Sequence, residues 1–262
     1  MGKENGSGLT KSVARALSIL SCFSDRQPEL RVSDFARMLG LTVSNVSRLL
    51  ATMETLGYVE RDENTGLFRP GMELLTLAGI ALNLNDVRRA SVDELQRLER
   101  ALGLGTNLAV LRDDSIFYLA HFDGPQAPRG YTLLGRRNPL HATAIGKVLL
   151  AHLPEDQLND VLARIPLTQF TTSTITDPNR LREELAQIRQ QGFATEVNEL
   201  ALGRGCVAAP VRNRVGQVVA GISISGPLSA MDFEHRKDKL ARIIIEAADN
   251  ISLKLGYITV YQ

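Results

Sequence analysis

The chain has 262 residues, 44% of them hydrophobic and 23% charged, which is ordinary globular composition and enough for two compact domains. No apolar run approaches the roughly 20 residues of a membrane span, and the polar, Gly-rich start MGKENGSGLTK lacks an apolar signal core. A loose arm over residues 1–9 and a cytoplasmic protein without a membrane partner are therefore expected.

Net charge is only +1, and residues 1–70 hold nine Lys/Arg against eight Asp/Glu. Bulk charge thus names no nucleic-acid partner, and any such reading must rest on where charges and donors are placed. In SVARALSILSCF, apolar positions Val13, Ala16, Leu17, Ile19 and Leu20 predict a helix with a broad buried face. SDRQPEL stops it. SDFARMLG follows as a short helix, with Gly40 suited to the position just past its end, and Thr42 is placed to cap a longer helix running to about Leu56. YVERD, ENTG and LFRPG read as strand, turn and strand, with Asn64-Thr65-Gly66 as the turn. Helix, short helix, Gly turn, longer helix and hairpin is the order of a winged helix-turn-helix over residues 10–71.

Wound at 100° per residue, Thr42–Leu56 places Val46, Leu49, Leu50, Met53 and Leu56 on one face. Ser44, Ser47, Arg48, Ala51 and Thr55 lie opposite, with Asn45 at the border. A plain solvated face would more often carry Glu and Lys. Short hydroxyls and an amide let a helix approach base edges, and Arg can bind guanine with two hydrogen bonds. Thr42, Ser44, Asn45, Ser47 and Arg48 are the candidate base-reading and capping residues. Arg31, Arg37, Arg61 and Arg69, in or near the flanking elements, are the candidate phosphate contacts on double-stranded operator DNA.

From Gly71 a helical stretch runs to Gly103, with a break expected around Asn83–Asp86; residues 72–87 read as a linker helix and 88–262 as a second domain. TNLAVLRDDSIFYLAHFDG alternates about an Asp113-Asp114-Ser115 turn as a hairpin, and YTLLGRRNPL offers another strand. TAIGKVLLAHL and PEDQLNDVLARI read as helices. DPNRLREELAQIRQQG is a helix with Asp177 as cap, Pro178 first and Gly192 past its end. RGCVAAPVRNRVGQVVAGISISG reads as two strands about Gly216, and a last helix spans about Asp232–Leu255. Hairpins with helices between them indicate an α+β domain with a mainly antiparallel sheet.

SVARALSILSCF, LTVSNVSRLLATMETLGYVERD and FRPGMELLTLAG resemble the DNA-binding half of the IclR family of bacterial transcriptional regulators. GRRNPLHATAIGKVLLAHL, GFATEVNELALGRGCVAAPV and VVAGISISGP resemble that family's effector domain, in the right order over about Thr10–Tyr257. GRRNPLHATAIGKVLLA is similar to the subgroup that includes the ketodeoxygluconate-regulon repressor. The resemblance implies a GAF-like effector domain with an antiparallel sheet flanked by helices, a homodimer or homotetramer, and a small-molecule effector that is an organic or sugar acid. Carried over by position, it implies an effector pocket at Ala144, Ile145, Glu196, Cys206, Ser223 and Ser225.

The residues themselves bear on that pocket. Thr143 stands at a helix start, with the Ala144, Ile145 and Gly146 N–H groups left over; this is an anion site or simple capping and close packing. It is no phosphate loop, because His141 stands where a Gly is needed and Val148 follows Lys147. GRGCVA fits a dinucleotide pattern only formally, since a strand-like run follows. Arg204 would favour a carboxylate if it points inward and means nothing at the surface. Ser223 and Ser225 alternate with Ile222 and Ile224, so both serines share one strand face. A rival reading is an enzyme using Cys206, His141 and Glu196, or a metal held by Glu196, Glu199, Cys206 and a His. Cys22 and Cys206 match no ligand spacing, and the four histidines form no HxxxH. The expectation is a ligand-responsive transcription factor, not an enzyme, with no catalytic residue, metal or cofactor.

Overall fold

A computed structural model describes residues 10–125 and 134–258, so the expected arm at 1–9 and the first part of the YTLLGRRNPL strand lie outside the described residues. The chain divides into two units, one ending at Leu82 and the other beginning at Asn83.

The first unit is built on α1 (Lys11–Leu20), α2 (Val32–Leu39) and α3 (Val43–Thr55), then the hairpin β1 (Val59–Arg61) and β2 (Phe68–Pro70). Gly40 ends α2 at φ 64°, where a side chain would be strained, and its N–H returns to the Ala36 carbonyl. Two residues later Thr42 Oγ1 accepts from the Asn45 N–H at 3.3 Å and starts α3. In the hairpin turn the Asp62 carboxylate accepts from the Thr65 and Asn64 N–H groups and the Thr65 hydroxyl. Those donors hold the Asp62 carboxyl below its usual range, the Thr65 N–H foremost. Ile19, Phe35, Val46, Leu50, Val59 and Phe68 form the core.

Two sequence expectations need correction here. In α1 only Ile19 is buried, with Ala16 and Leu20 packed against the core, while Val13 and Leu17 are exposed, so part of the broad apolar face has no cover within this unit. Leu56 is also exposed, because it caps α3 beyond the last helical residue, where helical periodicity no longer sets its direction.

The helical stretch after Gly71 is two helices, α4 (Met72–Leu84) and α5 (Asp86–Leu102). The break falls at Asn85, whose side chain accepts from the Arg88 N–H at 2.9 Å. In the second unit, β3 (Gly105–Arg112), β4 (Ser115–Phe122), β5 (Arg137–Pro139), β6 (Ala194–Val197), β7 (Arg204–Arg212) and β8 (Val218–Pro227) form one antiparallel sheet in the order β5-β4-β3-β8-β7-β6. The remaining helices are α6 (Ala144–Ala151), α7 (Glu155–Arg164), α8 (Pro178–Gln191), α9 (Leu228–Met231) and α10 (Phe233–Lys254). The expected caps of α8 are present: Asp177 accepts from Asn179 and Arg180, and Gly192 closes the helix at φ 79°. β6 and α9 were not anticipated, being four residues each.

Strand alternation sorts the sheet into two cores. Leu108, Val207, Ile222 and Ile224 pack with Leu95 and Leu98 of α5 and Ile244 and Ile251 of α10. On the other side Ala109, Tyr118 and Ala208 pack with Ile145 and Val148 of α6 and Leu181, Leu185 and Ile188 of α8. α6 lies close enough to the sheet that a Cβ on Gly221 would sit 2.8 Å from Ile145 Cγ2. Among the described residues no helix is long and apolar enough to cross a membrane.

Candidate functional site

Two separate surfaces gather the residues singled out from sequence. On α3, Ser44, Ser47 and Arg48 are exposed and Asn45 is half-buried, while Val46, Leu50 and Met53 hold the helix down from its opposite side. Arg48 Nη2 donates to Asn45 Oδ1 at 2.9 Å, so the arginine is laid along the helix surface rather than extended. Arg31, Arg37, Arg61 and Arg69 are all exposed. Arg37 pairs with Asp34 at 3.1 Å and Arg69 with Glu60 at 3.0 Å, and the Arg61 guanidinium lies 5.7 Å from the centre of the Phe68 ring. Exposed pairs of this kind are worth about 0–1 kcal/mol, so either arginine can exchange its carboxylate for a phosphate at little cost.

The second surface is a cavity of about 260 Å³ on the α6 side of the sheet. Eight of the nine residues named for an effector line it: Thr143, Ala144 and Ile145 at the start of α6, Glu196 on β6, Arg204 and Cys206 on β7, and Ser223 and Ser225 on β8. Gly146 does not line it. Its N–H donates to Thr143 Oγ1 at 3.1 Å, and a Cβ there would meet the Leu140 carbonyl oxygen at 2.2 Å, so this glycine serves close packing. Arg204 both lines the cavity and is exposed, which places it at the mouth. Asn107, Tyr118, Asn138, Leu200 and Ala201 complete the lining and were not anticipated from sequence. An Asn inside an otherwise apolar strand, TNLAVL, was the available signal; Tyr118 and Asn138 carried none, because only strand pairing brings β4 and β5 to this end of the sheet.

The electrostatics of the cavity are unusual for a core. Burial pushes the Glu196 carboxyl above its ordinary range, although Oε1 accepts from the Glu199 N–H at 2.6 Å and the Leu200 N–H at 3.2 Å. Burial, with Glu196 beside it, drives the Cys206 thiol far above a normal thiol, so it stays protonated and is a poor nucleophile. His141 does not line the cavity; its Nε2 donates to the Thr168 carbonyl at 3.0 Å. Cys206, His141 and Glu196 therefore do not assemble as a nucleophile, base and orienting acid. Behind the cavity, Lys147 is fully buried and donates to Glu199 at 2.7 Å and Glu184 at 3.1 Å. Burial raises the Glu199 carboxyl and the Lys147 ammonium pulls it back part of the way.

The model of the IclR helix-turn-helix domain matches residues 12–63, and that of the bacterial transcriptional regulator IclR C-terminal matches residues 80–253. The HTH-type transcriptional regulator XynR of Escherichia coli (strain K12) is 37% identical over 86% of this chain and 89% of its own length. KdgR of the same organism is 34% identical over 94% of this chain and 93% of its own. Among solved structures, an IclR homolog from Microbacterium hydrocarbonoxydans, complexed with 4-hydroxybenzoate, superposes with a TM-score of 0.81 at 28% identity, covering 93% of this chain and 98% of that one.

Proposed function

This chain belongs to the IclR family of bacterial transcriptional regulators, and we propose that it controls a catabolic operon by binding a small organic or sugar acid in the cavity of its second domain. One observation carries the reading. Residues from β6, β7, β8 and the start of α6, far apart in sequence, converge on a cavity that sets several polar side chains among apolar ones, with an arginine at its mouth, which is ligand surface and poor core. The related structure that holds 4-hydroxybenzoate supports an acid as the ligand class. A ligand changes DNA affinity only by binding two arrangements of the dimer unequally, and the segment Met72–Asn85 is the element we assign to relay that difference. The test is to select the operator from random duplexes, then measure gel shifts with 4-hydroxybenzoate and with gluconate. An operator affinity that stays constant while calorimetry shows either acid bound would sink the reading.

On α3, Arg48, Ser44 and Asn45 are assigned operator specificity. Arg48→Ala is expected to weaken operator binding by about 1–3 kcal/mol and relax base preference, with random DNA affected less. Equal losses on both would make Arg48 a phosphate contact. Asn45→Ala releases the Arg48 side chain and is expected to cost less than Arg48→Ala in the same gel-shift series.

A second prediction concerns assembly. Met72, Leu75, Ile80 and Leu84 of α4 are exposed, and no residue of α4 is buried. Val13 and Leu17 of α1 are exposed as well, so each of these helices carries apolar side chains that a monomer leaves wet. A dimer is expected, bound to a near-palindromic operator whose half-sites lie about one helical turn, or a multiple, apart. Sedimentation should find it at micromolar concentration. A monomer that still footprints a single half-site would defeat this.

A further inference from the structure

The cavity wall formed by β3 and β8 has a hydrogen-bond order that can be read from its acceptors. Asp123 Oδ1 lies 2.6 Å from His121 Nε2, and Asn107 Oδ1 lies 2.7 Å from His121 Nδ1. A carboxylate and an amide oxygen only accept, so this arrangement is satisfied in full by an imidazolium that donates from both ring nitrogens. With its oxygen thus committed, Asn107 turns its NH₂ to the β8 serines, donating to Ser223 Oγ at 3.0 Å and Ser225 Oγ at 3.2 Å. Each serine oxygen is accepting, so its hydroxyl hydrogen points elsewhere. Ser225 reaches the Cys206 sulfur, a weak acceptor that a better one would displace, and Ser223 faces the cavity.

We propose that Asp123, His121 and Asn107 form a proton-ordered relay that fixes Ser223 and Ser225 as hydroxyl donors toward the cavity, so that the wall suits an anionic acceptor while His121 is charged. When His121 loses its Nδ1 proton, that nitrogen becomes an acceptor and Asn107 must turn over to donate to it. The amide oxygen then accepts from both serine hydroxyls, and their lone pairs face the cavity instead. An anion that met two donors now meets two acceptors. Asn107 and His121 are positioning residues in this scheme, acting through the serines.

The surroundings allow His121 to respond. Its side chain is 9% exposed, and that of Asp123 is 44% exposed, so the relay runs from the surface to the cavity. Among the described residues Asp123 is the charged group in contact with the ring; Glu196 and Cys206 line the same cavity from β6 and β7, Arg204 stands at its mouth, and Arg88 of α5 bonds the Leu119 carbonyl of the same strand. Glu196 is an acceptor inside the cavity, so a ligand that satisfies both groups carries an anionic group for the serines and a hydroxyl or acid proton for Glu196. Only the acid class rests on the function proposed above; the proton order does not.

The experiment separates the two. Full-length protein labelled with ¹⁵N in histidine and asparagine is titrated without ligand from pH 5 to 9, the span in which histidines ordinarily lose their charge. His121 and Asn107 are assigned from H121Q and N107L. Both His121 nitrogens are expected to carry protons at the acid end, and the Asn107 amide signal is expected to move with the same midpoint as His121. D123N, at an exposed site, should move the two midpoints together, and H121Q should flatten the Asn107 profile. An Asn107 signal that ignores the titration of His121, or a His121 without an Nδ1 proton at pH 5, overturns the relay. In a second arm, calorimetry follows 4-hydroxybenzoate and gluconate. The affinity of whichever binds should fall about tenfold per pH unit above the His121 midpoint, and H121Q should abolish that slope. An acid bound without the slope overturns the coupling to ligand but leaves the acid reading intact. A relay seen by resonance with neither acid bound supports the proton order and counts against the acid reading.

Discussion

Replacing Lys147 by methionine is expected to cost the second domain about 3–5 kcal/mol near neutral pH, the usual result of breaking a buried ion pair by removing one partner. Lys147 is fully buried and faces Glu199 at 2.7 Å. Glu184 is less enclosed and can turn to water, but Glu199 is left as a buried carboxylate, and its Oε2 already lacks a hydrogen-bond partner. The variant escapes by keeping Glu199 protonated, which gives a pH signature. Burial raises the Glu199 carboxyl above its unfolded value, and removing the ammonium raises it further. Between the unfolded and folded values the native state holds a proton that the unfolded chain has released, so stability falls as pH rises through that window. Urea unfolding at pH 5 and pH 8 should therefore show the larger loss at pH 8. K147M with Glu199→Gln should recover most of it, because an uncharged pair needs no counter-ion. A single-variant loss below 1 kcal/mol, equal at both pH values, would mean that Lys147 packs there without answering the charge.

Ala144→Leu is expected to abolish the effector response while operator binding stays within about twofold of normal. Ala144 is buried and lines a cavity of only about 260 Å³, so three further carbon atoms occupy the space a ligand needs. The cavity offers room that a packed core does not, which keeps the overpacking cost at or below the usual 1–3 kcal/mol. Calorimetry with 4-hydroxybenzoate and gluconate, beside operator gel shifts, reads the two effects separately. A variant that binds the acid normally puts the site elsewhere. If the acid binds wild-type protein and operator affinity never changes, the second domain is not the sensor.

Local chemistry made the element order legible. Gly40, Gly103 and Gly192 sit at φ values of 64°, 65° and 79° just past helix ends, and Thr42, Asn85 and Asp177 cap the helices that follow; these are interactions within one turn, readable from spacing alone. The shared face of Ser223 and Ser225 was legible for the same reason, because alternation is a property of one strand. The nine cavity candidates came from position and from family likeness, and eight of them meet. Asn107, Tyr118 and Asn138 did not come, since they enter the cavity through the antiparallel pairing of β3, β4, β5 and β8.

By itself the sequence determined the winged helix-turn-helix order, the exposed donors of α3 and the α+β character of the second half, because capping, turn formation and amphipathic period are set by neighbours a few residues away. The tertiary structure alone decided that Lys147 is buried between Glu199 and Glu184, that Gly146 packs instead of lining the cavity, and that His121 sits on Asn107 and Asp123. The longest of those contacts joins residues 52 positions apart. Their free energy depends on desolvation and on which partner each polar atom finds, and neither exists until the sheet has closed around them.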